Sequence, residues 1–192
     1  PAIETAGILA TMFPDVLEKT YGRDFAEKAK EIFWLQPVVY DALTLARIGL
    51  RTGVTAMHDA TEYGVWGALH DIADASGVGL RIYEDKLFIR EDVEKVVKAF
   101  SKFTGIPVDP YAAISEGTLI ATVRPEKAES AVELLRSKGI DAAIIGEVTK
   151  EERVVLVKKN GEEEEIPVPE QDPFWLLFFK TLEILRKRSE EK

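Results

Sequence analysis

The chain has 192 residues, 34 acidic side chains against 25 basic ones and a net charge of −9. A chain this long buries roughly 70% of its unfolded surface, so one domain with appendages is expected, and it needs no staples. The acidity argues against nucleic acid and anionic membrane as partners; the absence of cysteine excludes disulfides, thiolate metal sites and a thiol nucleophile; and no apolar run approaches the roughly 18 residues of a membrane span.

No signal peptide is visible, and the expected location is the cytoplasm. Asn160 is the only asparagine and Gln36 and Gln171 are the only glutamines; beside the Glu and Lys excess, this is the usage of thermophile proteins. The chain opens PAIETAGILATMF, without an initiator Met and apolar from the start. That reads as a cut inside a longer protein.

Asp24 is a candidate N-cap for FAEKAKEIFWL, with Phe25, Ala29, Ile32 and Phe33 on one face. Pro37 interrupts it, and a second apolar helix is predicted from Val38 to about Leu50. Both read as scaffold. Val54 to Ala60 is a short strand candidate, and the helical period then runs from Gly64 through Val65, Leu69, Ile72 and Ala73 to a C-cap at Gly77. VGLRIY is the next strand, followed by a helix from Arg90 to Phe103 carrying Val93, Val96, Val97 and Phe100 in register.

Thr118 to Val123 alternates as a strand. Pro125 opens a helix that Gly139 ends. Asp141 to Val148 and Arg153 to Lys159 are predicted strands. Asn160-Gly161 marks a hairpin with a type I′ turn, and Glu162 to Glu165 forms a charged edge that discourages strand addition. The terminal segment DPFWLLFFKTLEILRKRSEEK is a helix with Phe174, Trp175, Leu177, Phe178, Leu182 and Leu185 around much of its circumference. It packs on the core or docks to a missing half or a second subunit. Helices first, then alternating strands and helices, then a hairpin, predict an α+β fold, an α/β sandwich with a mixed sheet covered by helices. Residues 1–168 form the body and 169–192 the terminal helix.

The chemistry concentrates in MHDATEYGVWGAL, starting at Met57. A strand ending in His58-Asp59 delivers both residues to the carboxyl edge of a sheet, where ligands often bind. The turn from Thr61 to Gly64 opens a helix whose N–H groups and positive dipole end suit a phosphate. The simpler alternative is that Asp59 or Thr61 caps the helix, Gly64 and Gly67 permit close packing, and nothing binds. His58, Asp59, Glu62 and His70 offer metal-ligand atoms, but without repeated spacing; no metal site of protein side chains is expected. The serines include no nucleophile-elbow pattern. SEGT, from Ser115 to Thr118, is a polar turn before a strand, and Gly146 sits where a strand backbone allows close approach.

MHDATEYGVWGAL, followed by ASGVGLRIYEDKLFIREDV, resembles the carboxy-terminal half of the HypE (hydrogenase expression/formation) branch of the aminoimidazole-ribonucleotide (AIR) synthase superfamily. The likeness continues through DPYAAISEGTLIATV and DAAIIGEVT and extends from AIETAGILATMF to about Val168. It implies a fold like the AIR synthase carboxy-terminal domain, closing over a cleft whose ATP and magnesium ligands lie mostly in an amino-terminal domain expected to be absent from this chain. It also implies a homodimer and contacts with other maturation proteins. Members of this superfamily phosphorylate an oxygen, usually of an amide, with ATP; HypE dehydrates a thiocarboxamide on its own terminal cysteine. His58, Asp59, Thr61 and Gly64 match the family's HD-x-T-x-G-G turn, and Ser115, Glu116 and Gly117 match a second turn. By this resemblance His58 and Asp59 are the catalytic candidates, and Thr61, Gly64, Ser115, Glu116 and Gly117 bind phosphate or substrate.

Two departures stand out. Tyr63-Gly64 replaces the paired glycines, which is costly if the first requires positive φ. The chain also has no cysteine and ends RKRSEEK, so it offers no terminal thiol. The expectation is therefore the carboxy-terminal domain of a HypE-like, ATP-dependent protein, inactive alone. The rival is a non-enzymatic assembly or dimerisation module with a degenerate phosphate turn. A relative of selenophosphate synthetase or thiamine-phosphate kinase fits the fold, with fewer motif matches.

Overall fold

The computed structural model describes residues 1–168 and 170–190. Three helices come first: α1 (Ile3–Met12), α2 (Pro14–Tyr21) and α3 (Arg23–Ala29). The N-cap of α3 is Gly22, at φ 89°, and Asp24 lies in the first turn without capping it. The helix predicted through Leu35 tightens into a 3-10 helix at Lys30–Leu35. Here α1 lies almost in contact: a Cβ on Gly7 would stand 2.7 Å from the Phe33 Cα. The next helix, α4 (Val39–Leu45), is shorter than predicted and leads into a 3-10 turn at Ala46–Ile48.

The strand and helix around the HD motif form where the periodicity places them, as β1 (Val54–Asp59) and α5 (Gly64–Ser76), with Gly77 as a left-handed C-cap. Then follow β2 (Gly79–Tyr83), α6 (Glu91–Thr104), β3 (Leu119–Val123), α7 (Pro125–Arg136), β4 (Gly146–Thr149), β5 (Val154–Val157), β6 (Glu163–Glu165) and α8 (Pro173–Glu190). Among the described residues, no helix is long and apolar enough to cross a membrane.

The strands divide into two sheets. β1 pairs antiparallel with β3, with an irregularity between Val54 and Ala56. The other sheet has the order β4-β2-β5-β6; β2 and β5 run parallel and the other pairs antiparallel, so it is mixed. The strand predicted from Asp141 is reduced to β4, because β2 offers ladder partners only from Gly79 to Ile82. Gly146 does allow close approach: a Cβ there would meet the Arg81 carbonyl oxygen at 2.2 Å.

The hairpin between β5 and β6 differs from a type I′ turn. Gly161 N–H donates to the Lys158 carbonyl at 2.8 Å, and Lys158 N–H to Glu162, also at 2.8 Å. Only Gly161 turns to positive φ, at 87°, whereas type I′ needs it at both central residues. The loop is a type I turn closed by a glycine bulge. Its three-glutamate strand is an exposed sheet edge.

Three apolar clusters hold the fold. The first joins α1, α2, α3, α6 and α8 around Phe100, Leu9, Leu17 and Leu177. The second packs α5 on β2 and β5 through Leu69, Ile72, Leu80 and Val154. The third holds α4 and α7 against β1 and β3. The loop between α6 and β3 forms the seam between the first two: Ala113 and Ile114 belong to one, Tyr111 and Ala112 to the other. The amphipathic α6 buries Val93, Val96, Val97 and Phe100 on one face, as its spacing predicts.

In α8, Phe174 and Leu177 are buried in the first cluster while Trp175, Leu176, Phe179 and Leu182 are exposed. Leu177→Ala is expected to lower stability by about 2–5 kcal/mol by opening a cavity, and Phe179→Ala to change it by less than about 0.5 kcal/mol. Urea denaturation of both variants checks this; equal effects would mean α8 is not part of the core.

Candidate functional site

The site begins at the end of β1. His58 and Asp59 pair across the ladder with Ile120 and Leu119. The His58 ring is held between two carboxylates, with Nε2 3.1 Å from Asp71 Oδ2 and Nδ1 3.6 Å from Asp59 Oδ1. Asp59 itself is exposed. The second histidine is elsewhere: His70 Nε2 lies 2.8 Å from the Ile166 carbonyl oxygen. His58 and His70 therefore share no ligand. Among the described residues, no group of three or more histidine or carboxylate side chains is placed to hold a metal.

After Ala60 the chain makes the turn that starts α5. Neither Asp59 nor Thr61 caps this helix. The N-cap is Tyr63, in the left-handed region at φ 62° and ψ 11°, with no side-chain cap of its own. The position held by the first glycine of the family pattern therefore does carry positive φ, and tyrosine adopts it here. Gly64 follows at φ 58°, and a Cβ on it would stand 2.5 Å from the Ala113 carbonyl oxygen and 2.6 Å from that of Tyr111. Its glycine is thus required by the chain's own backbone, which crosses there.

The crossing segment is the second turn. Ala60 N–H donates to Thr118, and Ser115 N–H to Thr61. Ser115 is fully buried, its hydroxyl 2.8 Å from that of Thr118. It shapes the turn and does not line a cleft. Gly117, at φ 98°, packs its Cα where a Cβ would meet the Leu35 carbonyl oxygen at 2.6 Å and Ile3 at 2.7 Å. Glu116 is half-buried and donates its N–H to Glu4 Oε2 at 3.3 Å. Upstream in the same loop, Tyr111 stacks on Trp66 at 5.1 Å, and Asp109 accepts the indole N–H at 2.7 Å. The structure thus brings Asp59, Thr61, Gly64 and Ser115 to Gly117 together, although they are about 50 residues apart.

A residue that sequence reasoning did not single out holds this assembly. Asp172 is buried. Its Oδ2 accepts the Tyr63 N–H at 2.7 Å, and its Oδ1 accepts those of Ile114 at 3.2 Å and Phe174 at 2.9 Å. With Pro173 behind it, Asp172 caps α8 in the usual Asp-Pro arrangement; the Asp-Pro pair was the signal available in the sequence. The same carboxylate supplies the missing cap of α5.

The surroundings are acidic. Burial raises the Asp172 carboxyl above the ordinary carboxylate range; the three N–H groups oppose the shift and the charge of Glu62 adds to it. Burial also raises Glu4; the Glu116 N–H pulls it back, and the charges of Glu116, Glu62 and Asp172 push it further up.

A magnesium nucleotide needs donors for its phosphates and hard ligands for its cation. Here the Tyr63, Gly64 and Trp66 amides are already engaged by Asp172, Thr61 and Tyr111.

A family model described as AIR synthase related protein, C-terminal domain, matches residues 2–159. The chain belongs to that family. Its mixed α/β architecture is the family's carboxy-terminal domain fold. A putative hydrogenase expression/formation protein of Methanocaldococcus jannaschii is 32% identical over 122 residues, covering 62% of this chain and 35% of that protein. Carbamoyl dehydratase HypE of Escherichia coli is 32% identical over 123 residues, covering 63% and 35% respectively. A crystal structure of the hydrogenase maturation protein HypE in complex with ATP superposes with a TM-score of 0.56 at 27% identity, over 69% of this chain and 41% of that one. The chain matches little more than a third of the length of the curated relatives.

Two expectations test the turns. Gly64→Ala places a Cβ against two carbonyl oxygens at positive φ and is expected to cost about 2–4 kcal/mol. Tyr63→Gly relieves a left-handed residue but frees the unfolded chain, so the change is expected to stay within about 1 kcal/mol. Denaturation midpoints of the two variants decide; equal losses would refute the geometry. A third concerns pH. A carboxyl whose folded pKa exceeds its unfolded value stabilises fully below the unfolded pKa, and that contribution is lost as pH rises through the folded one. Glu4→Gln is therefore expected to gain stability relative to the unsubstituted chain as pH rises above the ordinary carboxylate range, from about pH 4 upward. A pH-independent difference would show that Glu4 titrates as a free carboxyl.

Proposed function

We propose that this AIR synthase-related domain closes over phosphate and substrate that are held mainly by an ATP-binding amino-terminal half. The observation that carries this is the convergence of the two motif turns, Thr61–Gly64 and Ser115–Thr118, beside the His58-Asp59 strand end. The superposition on ATP-bound HypE supports a nucleotide in the assembled protein. In this reading Asp59 and Thr61 position the phosphate or substrate, and His58, oriented by Asp71, orients the loop or acts as a proton donor. Glu116 faces them from the second turn. Ser115 and Gly64 hold the two turns in contact, and Gly117 packs the second turn on Ile3 and Leu35. ATP and magnesium supply the phosphorylating chemistry, and the other half supplies most of their ligands.

The reaction class we infer from the family resemblance is phosphorylation of an oxygen on a small amide-like substrate, in a cytoplasmic hydrogenase-maturation setting. The apolar side chains exposed around α4, among them Trp34, Val39 and Leu43, offer a surface for the other half or for a second copy in a homodimer. One observation favours a second reading, a non-enzymatic assembly module. The Tyr63 and Gly64 amides at the start of α5 are already satisfied from within the chain by Asp172 and Thr61.

Calorimetry separates the two readings. Magnesium-ATP is titrated into the chain alone and into the chain mixed with the ATP-binding half encoded upstream of it. Binding only to the mixture is expected. In that pair, His58→Ala and Asp59→Ala are expected to lower ATP turnover by about 10²-fold or more with unchanged circular dichroism. No binding in either titration would favour the assembly module, and unchanged turnover in both variants would remove His58 and Asp59 from the chemistry.

A further inference from the structure

The Tyr63 amide at the N-cap of α5 is answered by an anion, and that anion belongs to the chain. Asp172 lies 109 residues after Tyr63, beyond the residues 2–159 that match the family model. Its carboxylate is buried and receives N–H groups from two separate segments of the motif region, Tyr63 at the N-cap of α5 and Ile114 in the second turn. A phosphoryl oxygen bound at a helix N-terminus uses the same kind of donors and the same positive dipole end. Tyr63 keeps the left-handed conformation despite its side chain, so its N–H remains aimed at the place the carboxylate fills.

We propose that Asp172 is a built-in anion that occupies these amides and closes the phosphate turn, and that the segment leading into α8 must withdraw before a phosphoryl oxygen can bind there. This rests on the reading of the two turns as the phosphate-facing part of the domain, and it adds a regulation of that site. The latch is carried by α8, whose Phe174 and Leu177 are buried while Trp175 and Phe179 on the same helix are exposed. The helix is thus anchored through part of its surface, and a partner gripping the exposed part could draw Asp172 away. Withdrawal leaves the Tyr63 and Ile114 N–H groups without their acceptor, while the Phe174 N–H moves with Asp172, so the open state needs an incoming anion to replace the carboxylate. Phosphate and the tail compete for the same donors.

The test is an anion-replacement experiment on the whole chain, with inorganic phosphate as the probe and chloride at matched ionic strength as the control. Amide ¹H–¹⁵N spectra follow Tyr63 and Ile114, and thermal melts follow stability. In Asp172→Ala, phosphate is expected to shift both amides saturably and to raise Tm by several degrees, because a ligand that binds only the folded state stabilises it. In the unsubstituted chain the same phosphate is expected to do neither. If Asp172→Ala folds only in phosphate, the proposal is supported. If it folds in neither salt, Asp172→Asn decides. That variant keeps an acceptor for Phe174 and loses the carboxylate charge, so phosphate must move its Tyr63 amide.

A folded variant whose Tyr63 and Ile114 amides ignore phosphate overturns the proposal and makes Asp172 a structural clamp. So does an unsubstituted chain that responds as strongly as the variant. The outcome is distinguishable from failure of the functional reading. ATP binding by the assembled pair, with phosphate-silent Asp172 variants, keeps the reading and removes the latch. Phosphate uptake by Asp172→Ala, with no ATP binding by the pair, does the reverse.

Discussion

One buried carboxylate ties the structure together. Asp172 takes hydrogen bonds from the first residues of two helices, α5 and α8, and from the loop that crosses between them. Each of those N–H groups would otherwise be an unanswered donor at a helix start or in a buried turn. Hydrogen bonds to an ionised acceptor are roughly twice as strong as neutral ones, and both helix dipoles add to them. Burial works the other way, raising the carboxyl's pKa. The clamp is therefore stable because three donors meet one charge. Loss of any one of them would leave a buried acidic group less well compensated.

The clamp also lies where two cores meet. Ala113 and Ile114 pack into the cluster built by α1, α6 and α8, whereas Tyr111 and Ala112 pack with α5 and the mixed sheet. The connecting loop is held on the sheet side by Trp66, through the Tyr111 stack and the Asp109 hydrogen bond. On the helical side it is held by Thr5, whose hydroxyl donates to the Ile114 carbonyl at 2.8 Å. With its N–H on Asp172 and its carbonyl on Thr5, Ile114 has both backbone groups fixed. The motif turns thus inherit their position from both cores. This explains why Gly64, packed against the loop, and Gly117, within it, each abut a neighbouring carbonyl oxygen.

Much of this fold was legible in periodicity and punctuation. The boundaries of β1, α5 and α6 follow from alternation, a 3.6-residue stripe and a glycine cap. The errors share a cause: local pattern is silent about tertiary supply. The strand predicted from Asp141 had the right composition and no ladder partner beyond the end of β2. Asn160-Gly161 had the right residues for type I′, but the loop closes one residue longer, as a bulge. The cap of α5 was sought in Asp59 and Thr61, the nearest polar residues, and it comes instead from a residue 109 positions away. The resemblance pointed to both motif turns, but not that Ser115 and Gly64 serve contact between the turns and Gly117 contact with Ile3 and Leu35. That distinction depends on which atoms fill the neighbouring space.

The charge around the turns constrains what can bind there. Glu62 and Glu116 press on Glu4, and Glu62 presses on Asp172, so the leading side-chain charges on both carboxyls are negative. A phosphoryl group entering the same space brings more negative charge into a partly desolvated region, where repulsion is stronger than in water. Backbone N–H groups alone offset little of it. Either an acidic group must leave as the phosphate arrives, or positive charge must come with it. Withdrawal of Asp172 meets the first condition, and a cation or basic side chain from another polypeptide segment meets the second. Both place the control of this site outside its own two turns: one in the terminal helix, the other in whatever surface packs against the domain.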